Sequence, residues 1–372
     1  MNYLHYEYCL SDFVVVEAYE KEYFTKEDDK EEFPYHTIML KNINAKLGKK
    51  DNQLAGKLRR IYVPQEIIEK YLDEGEKKFV YNPLSDTPGL YLEMYKIKIF
   101  NDATLMKFIQ NYGIPYHQQI PIGSSGVYPT ALFQRNEIEK LLIGMDVLMF
   151  YEQLLELQKA IEIWNDIREE NIQRLKQLQE EFEFYACFQE KYETEFKEAL
   201  SVEELTEFVF SDLGIAFGGE IDNIIEKYKE NPEKLKRLSI RASEYKITWE
   251  QVKNTDLKNI AMAYLNLKLK KLPSGKTSTR FTKGKIVPAI SFENLIEVAS
   301  YQLKQAIFKE AKLERCLNCG GLFEPLHGSQ KFCPPRPNKK RSTCENTYNQ
   351  RLKRQRRRER QQNTNNTPIQ SL

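Results

Sequence analysis

The chain has 372 residues, 41% of them hydrophobic and 12% aromatic, enough to build two or three domains around a sizeable core. Its net charge of +2 conceals a division, because residues 315–372 carry 13 Lys/Arg against 3 Asp/Glu while residues 1–314 carry 43 against 51, an acidic body with a basic tail. The N-terminal Met1-Asn-Tyr-Leu-His-Tyr-Glu-Tyr8 lacks the basic start and long apolar stretch of an export signal, and the most apolar run, Leu141 to Phe150, is short and carries Asp146; this predicts no membrane span and a cytoplasmic location.

Residues 1–115 read as a mixed α/β unit. Phe13–Tyr19 and Tyr35–Leu40 are rich in β-branched and aromatic residues and predict strands, Lys26–Glu32 predicts an exposed charged loop, and Pro64–Leu72 predicts a helix with proline in its first turn. Asn82-Pro-Leu-Ser-Asp-Thr-Pro-Gly89 is turn chemistry, and Thr104–Tyr112 predicts a helix stopped by Gly113 and Pro115. Gly123-Ser-Ser-Gly126 lacks the lysine and following Ser/Thr of a phosphate-cradling loop and predicts an ordinary connection.

Residues 130–311 read as a helical domain. From Asn136 to about Leu200 the pattern is helical and charged, with Leu157, Ile161, Trp164, Arg168, Asn171, Leu175, Leu178 and Phe182 following a four-three step. Two readings stay open: a coiled-coil homodimer whose Arg168 and Asn171 fix register, and the favoured one, an intramolecular hairpin whose stripe drifts onto Ile167 and Ile172. Further helices are predicted at Val202–Ser211, Gly219–Asn231, Thr248–Leu269 and Ser291–Ala311. Between the last two, Ser274–Gly284 predicts a solvated basic loop, since it offers phosphate neither a helix start nor an aromatic partner in register. No H-E-x-x-H, G-x-S-x-G, kinase or dinucleotide pattern is present. The four histidines are scattered, and pairs such as Glu169-Glu170 and Glu180-Glu181 read as solvated faces, so no catalytic residue is assigned.

The most specific signal lies in residues 312–360. Cys316 and Cys319 form a C-x2-C pair followed by Gly320; thirteen residues separate Cys319 from Cys333, and ten separate Cys333 from Cys344. This spacing predicts one structural zinc ion (Zn2+) on four thiolates; two disulfides or unlinked thiols are the alternatives, disfavoured by the absence of a secretory context. Gly320 supplies the positive φ that closes the knuckle, Phe323 and Phe332 supply an apolar plug, and Ser342-Thr343-Cys344-Glu345 reads as a capping box that puts Cys344 in the first turn of a helix. Together these parts describe a treble-clef-like finger. His327 is a loop residue that could replace a sulfur only in principle, and Cys9 and Cys187 read as reduced core thiols.

The helix after Cys344 is predicted to carry Arg351, Lys353, Arg354, Arg356, Arg357, Arg358 and Arg360, with Tyr348 and Leu352 packing on the zinc module; Arg336, Lys339, Lys340 and Arg341 add charge just upstream. Like charges at this density repel, and a polyanion relieves the repulsion while releasing counterions. These eleven residues are the candidate nucleic-acid contacts; an acidic protein surface and a solvated tail are the competing readings. Beyond Arg360, residues 361–372 read as a disordered tail.

In this order of parts, residues 315–360 resemble the C-terminal CGNR-type zinc finger of bacterial proteins. The resemblance implies that Cys316, Cys319, Cys333 and Cys344 are the ligands, that Cys344-Glu345-Asn346 stands for the family's Cys-Gly-Asn, and that Arg351, Lys353 and Arg354 belong to a DNA-binding helix. The ten-residue second gap, Glu345 in place of glycine and Thr347 in place of arginine depart from the family pattern. The expectation is an α+β protein that binds nucleic acid, DNA before RNA, as a transcriptional regulator. A scaffold with a structural zinc module is the alternative, and a nucleic-acid-processing or defence enzyme a third.

Overall fold

The computed structural model describes residues 8–9, 13–30, 34–50, 53–64, 66–67, 80–116, 118–121, 141–195, 244–337 and 339–365. Helix and sheet are mixed, as an α+β class requires. Strands β1 (Tyr8–Cys9), β2 (Phe13–Val14) and β3 (Glu20–Tyr23) lead into helices α1 (Lys26–Lys30) and α2 (Pro34–Lys46), then β4 (Leu58–Tyr62) and β5 (Val80–Tyr81). Short helices α3 (Pro83–Asp86) and α4 (Leu90–Tyr95) precede α5 (Asp102–Tyr112), β6 (Gln118–Pro121) and β7 (Leu141–Asp146). The long pair α6 (Val147–Arg168) and α7 (Ile172–Glu195) follows, then helical turns over 244–252 (α8), α9 (Leu257–Lys271), β8 (Lys276–Thr282), β9 (Lys285–Ser291) and α10 (Leu295–Phe308). Strands β10 (Glu314–Arg315) and β11 (Leu322–Phe323) and helix α11 (Thr343–Asn365) complete the chain.

An antiparallel sheet of order β3-β4-β7-β6 brings Arg60 opposite Asp146 and Tyr62 opposite Gly144. Helix α6 leaves the end of β7 and packs against α2, α4, α9, α10 and β4. Twelve of its 22 residues are buried, among them Phe150, Leu154, Leu157, Ile161 and Trp164, so it is apolar on more than one face. Asp146 caps it, Oδ1 accepting from the Met149 N–H at 3.0 Å while Oδ2 meets His36 Nε2 at 2.6 Å.

The division read at 115–130 does not separate two cores. Strand β4 pairs with β7 across it, β1 pairs with β9, and one hydrophobic core runs from Phe13 to Leu313.

Several local readings change for identifiable reasons. Tyr35–Leu40 belongs to the first half of α2, because His36, Met39, Leu40 and Ile43 are buried at helical spacing and Pro34 opens the first turn. Phe13–Tyr19 is strand only at Phe13–Val14. Lys26–Lys30 is exposed at Lys26, Glu27 and Lys30 and half-buried at Asp28 and Asp29, and it is helical, with a Thr25–Asp28 cap in which Thr25 Oγ1 accepts from the Asp28 N–H at 3.2 Å. Asn82–Gly89 contains α3, in which the Leu84 N–H donates to the Asn82 side chain, before the turn at Gly89. The apolar run from Leu141 is a strand up to Asp146.

The four-three seam is split. The chain breaks at Glu169–Asn171, where Glu170 takes φ 49°, and the seam residues on both sides are buried within their own chain: Leu157, Ile161 and Trp164 on α6, Leu175, Leu178 and Phe182 on α7. Ile167 joins the core as the drift requires, while Ile172 is exposed. Phe182 stacks on Tyr264 of α9 at 5.1 Å between ring centroids and meets Trp249 edge-on. Thr248–Leu269 is likewise two helices, with Asp256 capping the second. Ser291 ends a strand, and α10 begins at the cap Asn294. The predicted helices Val202–Ser211 and Gly219–Asn231, most of Pro64–Leu72, and the Gly123–Gly126 loop lie outside the described residues.

Sequence reading also missed the polar ties that hold α6. Asn42 Nδ2 donates to Glu152 at 2.8 Å; Lys46 Nζ bonds Glu152 and lies 2.9 Å from Glu156; Lys268 lies 3.8 Å from Glu156. Burial drives the Glu152 carboxyl up, and although burial works the same way on Glu156, Lys268, Lys46 and Lys271 together bring that carboxyl well below the usual range. Replacing Lys46 by Met leaves the buried Glu152 without a cation and takes one of three from Glu156, so Lys46→Met is expected to cost about 3 kcal/mol, measured as a lowered urea midpoint. A midpoint equal to wild type would show that the cluster contributes no net stability.

A four-cysteine candidate metal centre at the root of a basic helix

Leu313 ends the main core, and β10 and β11 pair antiparallel with Glu314 opposite Phe323 and Arg315 opposite Leu322. Between them the knuckle turns tightly: the Gly320 N–H donates to Cys316 O at 2.8 Å, the Cys316 N–H donates to Gly321 O at 2.9 Å, and Gly320 holds φ 70°. The N–H of Leu317 donates to Lys331 O at 3.0 Å, which draws the third cysteine's segment against the knuckle. At the start of α11, Ser342 Oγ accepts from the Glu345 N–H at 3.3 Å, so Cys344 stands in the first helical turn as the capping pattern requires.

The result is one sulfur cluster. The sulfurs of Cys316, Cys319, Cys333 and Cys344 all lie within 4.8 Å of one another, the one such grouping among the described residues that can hold a metal ion. Four thiolates about a tetrahedral ion with metal–sulfur bonds near 2.3 Å would stand roughly 3.8 Å apart. Cys319 Sγ and Cys333 Sγ are 3.6 Å apart, far beyond a disulfide bond and close to that ideal. The donor set therefore fits a metal, and four sulfurs complete a tetrahedron without an open position for substrate.

Cys316, Cys333 and Phe323 are buried as a small apolar nucleus, with Phe332 and Cys344 packed on it. Phe332 meets Tyr348 of α11 at 5.3 Å between ring centroids, which fixes the helix against the plug. His327 is exposed and pairs with Ser329 Oγ at 3.1 Å, outside the sulfur cluster. The side chains of Cys9 and Cys187 lie outside the described residues.

The thiols differ in acidity. Burial works to raise Cys316, but backbone N–H groups of Cys319, Cys333 and Asn318 directed at its sulfur bring it down to about 7. Burial pushes the Cys333 thiol far up against the opposing pull of Lys96, and burial together with the neighbouring Cys319 and Cys316 sulfurs raises Cys344 to about 11.

Lys96 is a contribution from the body that spacing did not reveal. It follows α4, bonds Glu93 at 2.5 Å, and donates from Nζ toward Cys333 Sγ at 3.6 Å. A Cβ on residue 321 would stand 3.1 Å from Lys96 Cε, so glycine there leaves room for the lysine. Further ties join finger and body: Tyr91 Oη donates to Glu324 at 3.3 Å, Arg315 lies 3.3 Å from Glu169, and Arg336 bonds Asn111.

Of the eleven basic residues singled out, Arg336 is therefore turned inward and half-buried. Lys339, Lys340 and Arg341 are exposed ahead of α11. Arg351 is exposed but reaches back to Asn318 at 3.4 Å. Lys353, Arg354, Arg356, Arg357, Arg358 and Arg360 are exposed along the helix, which continues to Asn365, past the point where the sequence reads as a disordered tail; residues 366–372 lie outside the described residues.

His36 meets one carboxylate, Asp146; both are almost fully buried and tie α2 to the start of α6. Among the described residues no helix is long and apolar enough to cross a membrane. Compared with protein-family models, curated proteins and solved structures, the chain matches none.

Two outcomes are expected. Metal binding must displace protons from Cys333 and Cys344, whose pKa values are raised, so apparent affinity for Zn2+ or Co2+ should climb between about pH 6 and pH 8 with proton release. A pH-independent affinity in a chelator competition would contradict thiolate coordination. Lys96→Met removes a cation facing sulfur, and affinity is expected to fall about tenfold at constant pH, the lower end for partners of metal ligands; an unchanged affinity would limit Lys96 to packing.

Proposed function

We propose that this chain is a nucleic-acid-binding protein whose four cysteines hold one structural zinc ion, order a treble-clef-like finger and aim α11 at DNA. The observation that carries this reading is the placement of the sulfur cluster at the root of a helix whose residues 351–360 present seven Lys/Arg to solvent. Zinc suits four thiolates, and when bound it would neutralise and lock the sulfurs while doing no chemistry on a substrate. The chain's own residues do the rest: Phe323, Phe332 and Tyr348 set the helix axis, and the arginines meet phosphate.

The shape of α11 favours duplex DNA over duplex RNA. Residues 351–360 span about 15 Å, and their charges spread around the helix instead of along one stripe. A basic helix of this kind fits the wide major groove of B-DNA, where phosphates flank it on both sides, whereas the major groove of RNA is too deep and narrow to admit it. Contacts of this type give affinity and orientation more than sequence choice. The acidic body, joined to the finger through Lys96, Tyr91 and Asn111, is the part that would sense a ligand or partner, as in a transcriptional regulator.

The test is a salt titration of duplex binding by the full chain and by Arg354→Gln/Arg357→Gln/Arg358→Gln. If three phosphate contacts are lost, the slope of log affinity against log salt should flatten by roughly 2 to 3. Equal slopes for the two proteins would remove α11 from the interface.

A further inference from the structure

Ser274–Gly284, a loop by sequence, forms with its successor a two-stranded ribbon. β8 and β9 pair from Lys276 opposite Ser291 to Thr282 opposite Lys285, and Lys283 (φ 48°) and Gly284 (φ 73°) make the turn. Among the described residues, β1 pairs with the other edge of β9 at Ala289 and Ile290, and β8 is the partner of β9 from there to the turn. From Lys276 to Pro288 no residue is buried.

Two features of this ribbon need a common explanation. Residues 274–292 contain Lys276, Arg280, Lys283 and Lys285 and no acidic residue. At the tip, Phe281 and Ile286 are directly paired and 72% and 74% exposed, with Thr279 and Pro288 the next pair on the same face. Protection of an open sheet edge accounts for the charges. It does not account for a phenylalanine and an isoleucine held side by side in water at the end of a basic arm.

We propose that the β8–β9 ribbon is a second nucleic-acid contact, an arm that enters a groove of duplex DNA. Lys283 and Lys285 meet phosphate, and Phe281 with Ile286 seats against the bases. The proposal rests on the nucleic-acid reading of α11, and it is separable from it. A two-stranded ribbon is narrow enough for a groove, and apolar side chains on such arms wedge between base steps. The aromatic in register that the bare sequence seemed to lack is supplied by the pairing: the strand sets Phe281 beside Ile286 and puts the lysines next to both.

The experiment uses the full chain carrying Phe281→Trp, an exposed position where the larger ring meets no packing constraint; the native Trp164 and Trp249 are buried and give a shielded background. Acrylamide quenching of the new indole is followed while binding is read separately by anisotropy of a labelled duplex. Binding accompanied by a several-fold loss of acrylamide access supports the arm. A chain that binds duplex while the indole stays as accessible as before overturns the arm and leaves α11 intact. No binding even at low salt overturns both.

Shielding by anionic phosphatidylglycerol vesicles and not by DNA would assign the tip to a lipid surface, and shielding that rises with protein concentration alone would assign it to a second copy; either overturns the proposal. Lys283→Ala/Lys285→Ala should in addition flatten the salt slope by about 2, and an unchanged slope counts against the arm.

Discussion

The structure depends on the burial of α6 on several faces at once. A helix with Phe150, Leu154, Leu157, Ile161, Ile163 and Trp164 all buried cannot lie on a surface. It must be surrounded, and α2, α4, α9, α10 and the sheet surround it. The consequence reaches the candidate site through α4. Gln158 of α6 donates to Tyr95 O at 3.3 Å and Ile97 O at 2.7 Å, on either side of Lys96, and Gln302 of α10 donates to Pro83 O and Thr87 O while accepting from the Leu90 N–H. Tyr91 packs on Trp164 and reaches Glu324 of the finger. The lysine beside the thiols is thus held by the core and is not a chance surface neighbour.

This arrangement bears on the chemistry of the cysteines. With a divalent ion bound, four thiolates would leave a net negative charge in a half-buried site, a situation that low-dielectric surroundings penalise. Lys96 supplies an opposite charge from outside the finger, and Glu93 holds that lysine in place. Backbone N–H groups perform the same service at Cys316. The body therefore completes the electrostatics of a module whose four cysteines all come from 29 consecutive residues, Cys316 to Cys344.

The sulfur cluster was legible in the sequence because its determinants are local: a C-x2-C-G turn, a capping Ser342 and a plug of nearby phenylalanines all act within a few residues. Gly113 ending α5 was legible for the same reason. Tyr35–Leu40 was misread because six residues do not distinguish a strand from a buried helix; the residue that decides is Ile43, one turn further on. The ends of α6 were hidden because strand β7 and the helix are both apolar, and only Asp146 marks the change. Lys96 and the Lys46–Glu152–Glu156 cluster could not be read at all, since each joins residues more than a hundred positions apart and no spacing rule spans such a distance. The β8–β9 ribbon was missed because toward its turn neither face is buried: β8 is polar apart from Phe281 and β9 is an unbroken apolar run from Ile286 to Ile290, so neither strand shows the alternation that burial on one side imposes.

Charge distribution decides how finger and body divide the work. An acidic body and a basic helix in one chain would be expected to attract, and a helix lying back on the body would be lost to any external partner. The contacts instead sit at the root of the finger, through Arg315, Lys96 and Arg336. Among the described residues, no body carboxylate lies in salt-bridge range of Lys353, Arg354, Arg356, Arg357 or Arg358. The plug of Phe332 against Tyr348 and the cap at Ser342 hold α11 along a direction that keeps these side chains in solvent. A body with a net charge of −8 over residues 1–314 then repels a polyanion wherever it is not covered by basic residues. The approach of such a polyanion would be restricted to the surfaces that carry the arginines and lysines. In the proposed nucleic-acid complex, the same imbalance that makes the net charge look neutral would give the molecule one orientation.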